Sequence, residues 1–268
     1  MKYLIPTLLI IIGFMSACEE KIDDVINTKE TNLIVVEGLL TNQRLRHKIK
    51  LSRPYKVQNQ SAEPVSGALI YITDNENGFA FLNEDPIGSG EYYTDSVRAV
   101  FGKTYTLHID INGTEYTASD SPPAGQQLEF PFFAKNETDD LYHLNLSESG
   151  SLPNYIVYDI NWENTDQCNP SDGCKGRVIY YDLKTIDVQE FYAPNKIDFF
   201  FPMGSTIIRN RHAVSVEYQT FLRSLLSETE WRGGVFDVQR DNVPTNLSAG
   251  AIGFFAVTTV ISDTVIVN

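Results

Sequence analysis

The stretch Arg44-Leu45-Arg46-His47-Lys48-Ile49-Lys50-Leu51 is where the chain declares its secondary structure. Leu45, His47, Ile49 and Leu51 alternate with Arg44, Arg46, Lys48 and Lys50, a period of two that gives an extended strand one apolar and one wet face. Upstream, Leu33–Leu40 is a nearly continuous apolar run suited to a buried strand. Downstream, Pro64-Val65-Ser66-Gly67 turns into Ala68-Leu69-Ile70-Tyr71-Ile72-Thr73, Asp74–Gly78 makes a hairpin turn, and Phe79–Leu82 returns. Gly88-Ser89-Gly90 opens Glu91-Tyr92-Tyr93-Thr94, Gly102-Lys103 precedes Tyr105–Ile109, and Asn112-Gly113 is a tight hairpin signal before Thr114–Thr117. Short strands at this spacing, with no helical pattern among them, predict a β-sandwich over residues 32–120.

Ser121-Pro122-Pro123-Ala124-Gly125 is short and stiff and reads as a hinge to a second β-rich unit, residues 126–268. There Tyr142–Leu146, Tyr155–Trp162, Arg177–Leu183, Ile197–Phe201, Ala251–Val257 and Thr264–Val267 look like strands. One amphipathic helix is predicted near 216–230. Ser215 can cap it, Glu217 sits near its positive end, and Tyr218, Phe221, Leu222, Leu225 and Leu226 form one stripe, with Gly233-Gly234 as the stop. The expected fold class is mainly β.

Composition agrees. At 268 residues and 42% hydrophobic content the chain can bury a sizeable core, and it is too apolar to be disordered. Tyr and Phe, 14 and 15 residues, far outnumber the 3 Met, which favours strands. With 35 acidic against 21 basic residues the net charge is −14, and a nucleic-acid binder is excluded because phosphates would be repelled.

The first residues read as an address. Lys2 is followed by the apolar run Leu4–Phe14, too short to span a bilayer of about 30 Å as a helix but right for a signal-peptide core. Met15-Ser16-Ala17-Cys18 then resembles a bacterial lipoprotein box, so residues 1–17 are expected to be removed and Cys18 lipidated; the alternative is an ordinary secretory peptide with Cys18 incidental. Removal takes away Lys2 alone, leaving a net charge of 20 − 35 = −15. Several acyl chains would hold the body at a membrane without a transmembrane helix. Residues 18–31 form an acidic tether beginning Glu19-Glu20-Lys21-Ile22-Asp23-Asp24, either a solvated spacer or, as in lipoproteins of the Bacteroidetes, a signal for export to the cell surface. The expected location is the outer membrane, facing outward, with a periplasm-facing arrangement as the alternative.

Cys168 and Cys174 flank the turn-rich Asn-Pro-Ser-Asp-Gly, and in an oxidising envelope a disulfide closing this loop is expected. Asp166 and Asp172 alone do not complete a thiolate metal site.

Enzyme signatures are missing. There is no His-Glu-x-x-His, no Gly-x-Ser-x-Gly and no phosphate-binding loop of the full form Gly-x-x-x-x-Gly-Lys-Ser/Thr. His47 and His108 fall within strand patterns, and Asp74-x-Glu76-x-Gly78 reads as a turn, lacking the distal Glu of a calcium loop. Neither a catalytic residue nor a cofactor is expected. Two features could bind. One is the basic face Arg44, Arg46, Lys48 and Lys50, continued by Arg53 and Lys56: a solvated strand face, an edge guarded by charge, or a docking patch for an anionic partner. The other is the C-terminal aromatic set, with Trp162 and Trp231 as candidate ligand platforms against a default of core packing.

Two resemblances follow from these residues. Pro64-Val65-x-Gly67-Ala68-x-Ile70-x-Ile72, Gly90-x-Tyr92 and Gly102-Lys103-x-Tyr105-x-Leu107 resemble the carboxypeptidase-regulatory-like, or transthyretin-like, sandwich, a non-catalytic module. Over nearly the whole mature chain, the box at Cys18, Val35-Val36-Glu37-Gly38, the Ser215–Leu226 helix and Thr245-Asn246-Leu247-Ser248-x-Gly250-x-x-Gly253-Phe254-Phe255 occur in an order similar to the Bacteroidetes lipoprotein family named domain of unknown function 4249. That resemblance implies an outer-membrane lipoprotein, often encoded beside TonB-dependent transporters, and brings no catalytic residues. The expected function is therefore a non-catalytic accessory or binding subunit of such a transporter, its small-molecule or glycan ligand left open. The alternative is a structural or adhesive surface lipoprotein without a small ligand.

Overall fold

A computed structural model describes residues 33–55, 61–130, 132–146, 152–169, 173–183, 199–229 and 243–268. The chain is mainly β, as the patterning predicts. Seven strands come first: β1 (Ile34–Thr41), β2 (Leu45–Ser52), β3 (Leu69–Asp74), β4 (Phe79–Glu84), β5 (Glu91–Val97), β6 (Tyr105–Ile111) and β7 (Thr114–Asp120). They join in the order β1-β2-β5-β4-β3-β6-β7, each hydrogen-bonded to the next. The sheet then rolls: Ser248 N donates to Thr117 O at 2.9 Å, and Ala118 bridges Leu247 just ahead of the last strand, β14 (Ala251–Ile266), which pairs in parallel with β1. One core fills the roll, with Val36, Ile49, Leu51, Ile70, Leu107, Ile109 and Phe255 all fully buried. The layers expected of a sandwich are here one sheet whose edge strand β7 folds back to meet the start of β14.

The residues that resembled a family make this closure. Asn246 Oδ1 accepts from Phe255 N at 3.1 Å, while its Nδ2 donates to Phe255 O at 2.8 Å and Ser119 O at 3.1 Å, so one amide clasps β14 to β7. Gly253 has φ +99°, and a Cβ there would lie 2.1 Å from Val36 O, so only glycine fits beside β1. The sandwich signature is likewise structural: Tyr92 Oη donates to Val65 O at 2.9 Å and accepts from Ala68 N at 3.0 Å, pinning the β2–β3 connection to the core.

The second region contains β8 (Phe133–Lys135), β9 (Leu141–Leu144), β10 (Asn154–Asn161), β11 (Lys175–Asp182), β12 (Phe200–Pro202), β13 (Thr206–Ala213) and helix α1 (Val216–Thr229). β11, β10 and β13 continue the large sheet, because the second half of β14 pairs antiparallel with β13. β10 is buried on both faces. Ile156, Tyr158 and Ile160 pack against the small β12-β9-β8 sheet, whereas Tyr155 and Val157 pack against α1 through Leu222 and Leu226. Ser215 caps α1 as expected, its Oγ accepting from Tyr218 N at 3.2 Å. The predicted stop at Gly233-Gly234 lies outside the described residues.

β8 and β13 match none of the strands expected from the sequence, and two expectations are corrected. Ala251–Val257 and Thr264–Ile266 are not two strands but parts of one 16-residue strand, and Val267 lies just past its end. The proline segment is a strap lying along β14 and β13, not a free hinge. Thr259 Oγ1 donates to Pro123 O, Arg211 Nη1 to Gln127 O, and Arg209 Nη1 to Glu129 O. Residues 32–268 make one compact unit, with β14 shared by both regions on either side of residues 121–125.

Candidate functional site

The basic face of β2 is built as a ladder of cross-strand ion pairs. β2 lies between β1 and β5, so it is no edge. Lys50 Nζ meets Glu37 Oε1 of β1 at 3.1 Å, and Lys48 Nζ meets Glu91 Oε1 of β5 at 2.9 Å. Arg46 reaches Asp85 at 3.3 Å, its guanidinium 5.0 Å above the Tyr93 ring. Neighbouring carboxylates thus answer these three cations within the sheet, which leaves little net field for an anionic partner. Arg44 differs: Nη1 donates to Ser96 O at 3.4 Å, with no carboxylate beside it among the described residues. A bulge between Arg46 and Lys48 turns Leu45 outward, while His47 stays buried and its Nε2 lies 3.2 Å from Val97 O. Burial holds the His47 imidazole below the ordinary histidine range.

The C-terminal aromatics mostly fill cores. Trp162 is half-buried against the β8–β12 cluster, its ring 5.9 Å from Phe199, and Phe132 and Phe201 are buried there. Of the Phe triplet, Phe201 points in and Phe200 is exposed, as alternation requires. Cys168 and Cys174 form the expected disulfide, with Cα atoms 5.5 Å apart. Cys18, Lys56 and Trp231 lie outside the described residues.

An exposed aromatic strip occupies the outer face of the roll, and the sequence reading missed it. Phe79 is 60% exposed and Phe81 45%, with Leu69 and Tyr71 beside them on β3. The Tyr71 ring stacks 5.3 Å from Phe79 and 4.5 Å from His108, and Phe79 lies 5.5 Å from Phe81. The register explains the cluster, since Tyr71 pairs with Phe81 on one side and His108 on the other. His108 is itself held by Glu115 and Thr73, each 3.1 Å from a ring nitrogen. A signal was present: in Leu69-Ile70-Tyr71-Ile72 and Phe79-Ala80-Phe81-Leu82 both parities are apolar, although an antiparallel sheet that buries one face normally wets the other. Large apolar groups clustered on an outer face mark an interaction surface.

Three further titratable groups, Asp74, His212 and Asp120, make contacts that hold the fold together. Asp74 Oδ1 accepts from Glu76 N at 2.9 Å and Gly78 N at 2.6 Å, and Oδ2 takes Lys103 Nζ at 2.8 Å, so the carboxylate staples the turn. The Lys103 contact, with these amides, holds the Asp74 carboxyl below its usual range. His212 stacks on Tyr155 at 4.4 Å beneath α1, and burial, helped by Arg177, lowers its pKa to about 4. Burial pushes the Asp120 carboxyl up; it accepts from Val257 N at 2.8 Å and Ser121 N at 2.9 Å and links to the Ser215 cap. Among the described residues no three His, Cys, Asp or Glu side chains gather as metal ligands, and no helix is long and apolar enough to cross a membrane.

No curated protein matches the chain. A family model does: the domain of unknown function DUF4249 covers residues 19–264, and the chain belongs to that family.

Proposed function

We propose that the protein is an outer-membrane, surface-facing lipoprotein acting without catalysis as an accessory subunit of a TonB-dependent transporter. In this reading acyl chains on Cys18 anchor it, and the strip of Leu69, Tyr71, Phe79 and Phe81 docks on the transporter. The observation that carries it is the strip itself, a cluster of apolar side chains turned outward from a well-filled core. Two further features choose the kind of partner. A tether of residues 18–31, even fully extended, reaches no more than about 50 Å, so the partner must lie at the membrane. The body's strongly acidic balance disfavours lying on an anionic lipid surface, which turns the strip toward protein.

The test is affinity recovery of tagged, lipidated protein from gently solubilised membranes, read by mass spectrometry. The wild type should bring down a TonB-dependent transporter in near-stoichiometric amount, and the pair Leu69→Ser, Phe81→Ser should lose it while keeping its melting temperature. Clean recovery of the lipoprotein alone contradicts the reading and favours an adhesive surface protein.

A further inference from the structure

A cleft opens in the wall of the roll where β4 and β5 part. Their pairing ends at Leu82 opposite Thr94, and beyond it Phe79 and Ala80 face Ser96, Val97 and Arg98 across a gap of about 310 Å³. That volume is at the small end of the range typical of small-molecule sites. The floor is apolar, formed by Leu40, Ile72 and Tyr105, each of which also faces the core.

The rim is cationic. Arg44, Arg98 and Lys103 line the cleft against one carboxylate, Asp74, a balance of 3 − 1 = +2 on a chain whose net charge is −14. Lys103 is taken by Asp74 at 2.8 Å and Glu76 at 2.9 Å, and counting Glu76 still leaves an excess of one. The excess lies on the arginines, which have no carboxylate partner among the described residues, unlike Arg46, Lys48 and Lys50 a few residues along β2. The second cleft, about 540 Å³ between β10, β11 and β13, shows the opposite: its Arg177 pairs with Asp159 at 3.4 Å, and its Lys175 with Glu163 at 3.0 Å. Tyr105 adds a donor, since its Oη accepts from Val100 N at 2.7 Å and keeps its own proton for another acceptor.

We infer that this β4–β5 cleft binds a small organic anion with an apolar body. Its carboxylate, sulfonate or phosphate sits between Arg44 and Arg98, and its ring or short chain lies on Leu40, Ile72 and Val97 beside Phe79. Guanidinium groups suit such oxyanions through paired N–H donors. The site adjoins the docking strip through Phe79, and the variants below leave Leu69, Tyr71, Phe79 and Phe81 untouched.

The test is calorimetric titration of the full chain with naphthalene-2-sulfonate, using the neutral naphthalene-2-sulfonamide as control. One sulfonate should bind per chain. The double variant Arg44→Gln, Arg98→Gln, both exposed positions, should weaken it at least tenfold while changing sulfonamide binding less than twofold and leaving the melting temperature in place. Ala80→Trp, which fills the gap, should abolish both. Octanoate and naphthalene-2-carboxylate then distinguish chain-like from ring-like ligands: displacement by either supports the site and names the class, and displacement by neither overturns it. Absence of saturable binding, or equal sulfonate affinity in the arginine variant, also overturns it.

Discussion

β2 and β13 are both strands studded with cations, and they use them in opposite ways. On β2, Arg46, Lys48 and Lys50 point to solvent and meet carboxylates on β1, on β5 and in the β4–β5 turn. On β13, Arg209 is 1% exposed. Its Nε donates to Asp263 Oδ1 at 2.8 Å, its Nη2 to Asp263 Oδ2, and its Nη1 to Glu129 O at 2.9 Å, while the guanidinium lies 3.6 Å from the centre of the Phe132 ring. Arg211 beside it bonds Gln127 O. The β2 cations decorate a wet face, whereas the β13 arginines fasten the 121–130 strap to the sheet. A cation's role in a strand is therefore set by what crosses over it, and that is a long-range fact.

The two strands should respond very differently to loss of charge. Arg209→Ala leaves Asp263 without its partner and frees the strap, so it should destabilise the protein by about 3 kcal/mol or more in urea unfolding. Replacing both partners, Arg209→Met with Asp263→Leu, should recover most of that loss; if the single variant unfolds at the wild-type midpoint, the strap is not held from β13.

Acid should probe the other face of the same strand. His212 is expected to titrate near 6.5 when unfolded and about 4 when folded, so the unfolded chain binds more protons between those values. Stability is then full above pH 6.5 and falls as pH drops toward 4, by a total on the order of 3 kcal/mol from this residue. His212→Gln should flatten that part of the profile, and a slope unchanged by the substitution would assign the loss elsewhere.

The smallest effect belongs to β2. Lys48→Ala should move the unfolding midpoint no further than measurement error, and added salt should not magnify the difference, because exposed pairs in water contribute little. A large shift would mean that the β2 ladder carries structure as β13 does.

The contrast also explains what could be read from the chain. The alternation in β2, the stripe of α1 and the turn signals before β3, β5 and β7 are local, and each appears where the sequence places it. β13 was illegible because what holds its arginines in a strand is distant: their acceptors, Asp263 and the 127 and 129 carbonyls, are 54 and about 80 residues away. The parallel pairing of β1 with β14 joins residues more than two hundred positions apart and leaves no local trace. Asn246 and Gly253 were visible as a motif, but their part in closing the roll depends on β7 and β1. The cations of β2 were found and their partners were not. Phe79 and Phe81 read as ordinary strand residues until register placed them beside Tyr71.

The docking surface is tested most directly in living cells by photo-crosslinking. A photoreactive benzoyl-phenylalanine introduced in place of Phe81 is compared with the same group in place of Lys48. Position 81 should give one adduct with a TonB-dependent transporter, and position 48, within the paired ladder, should give none. No adduct from position 81, or an equal yield from both, would contradict docking through the aromatic strip.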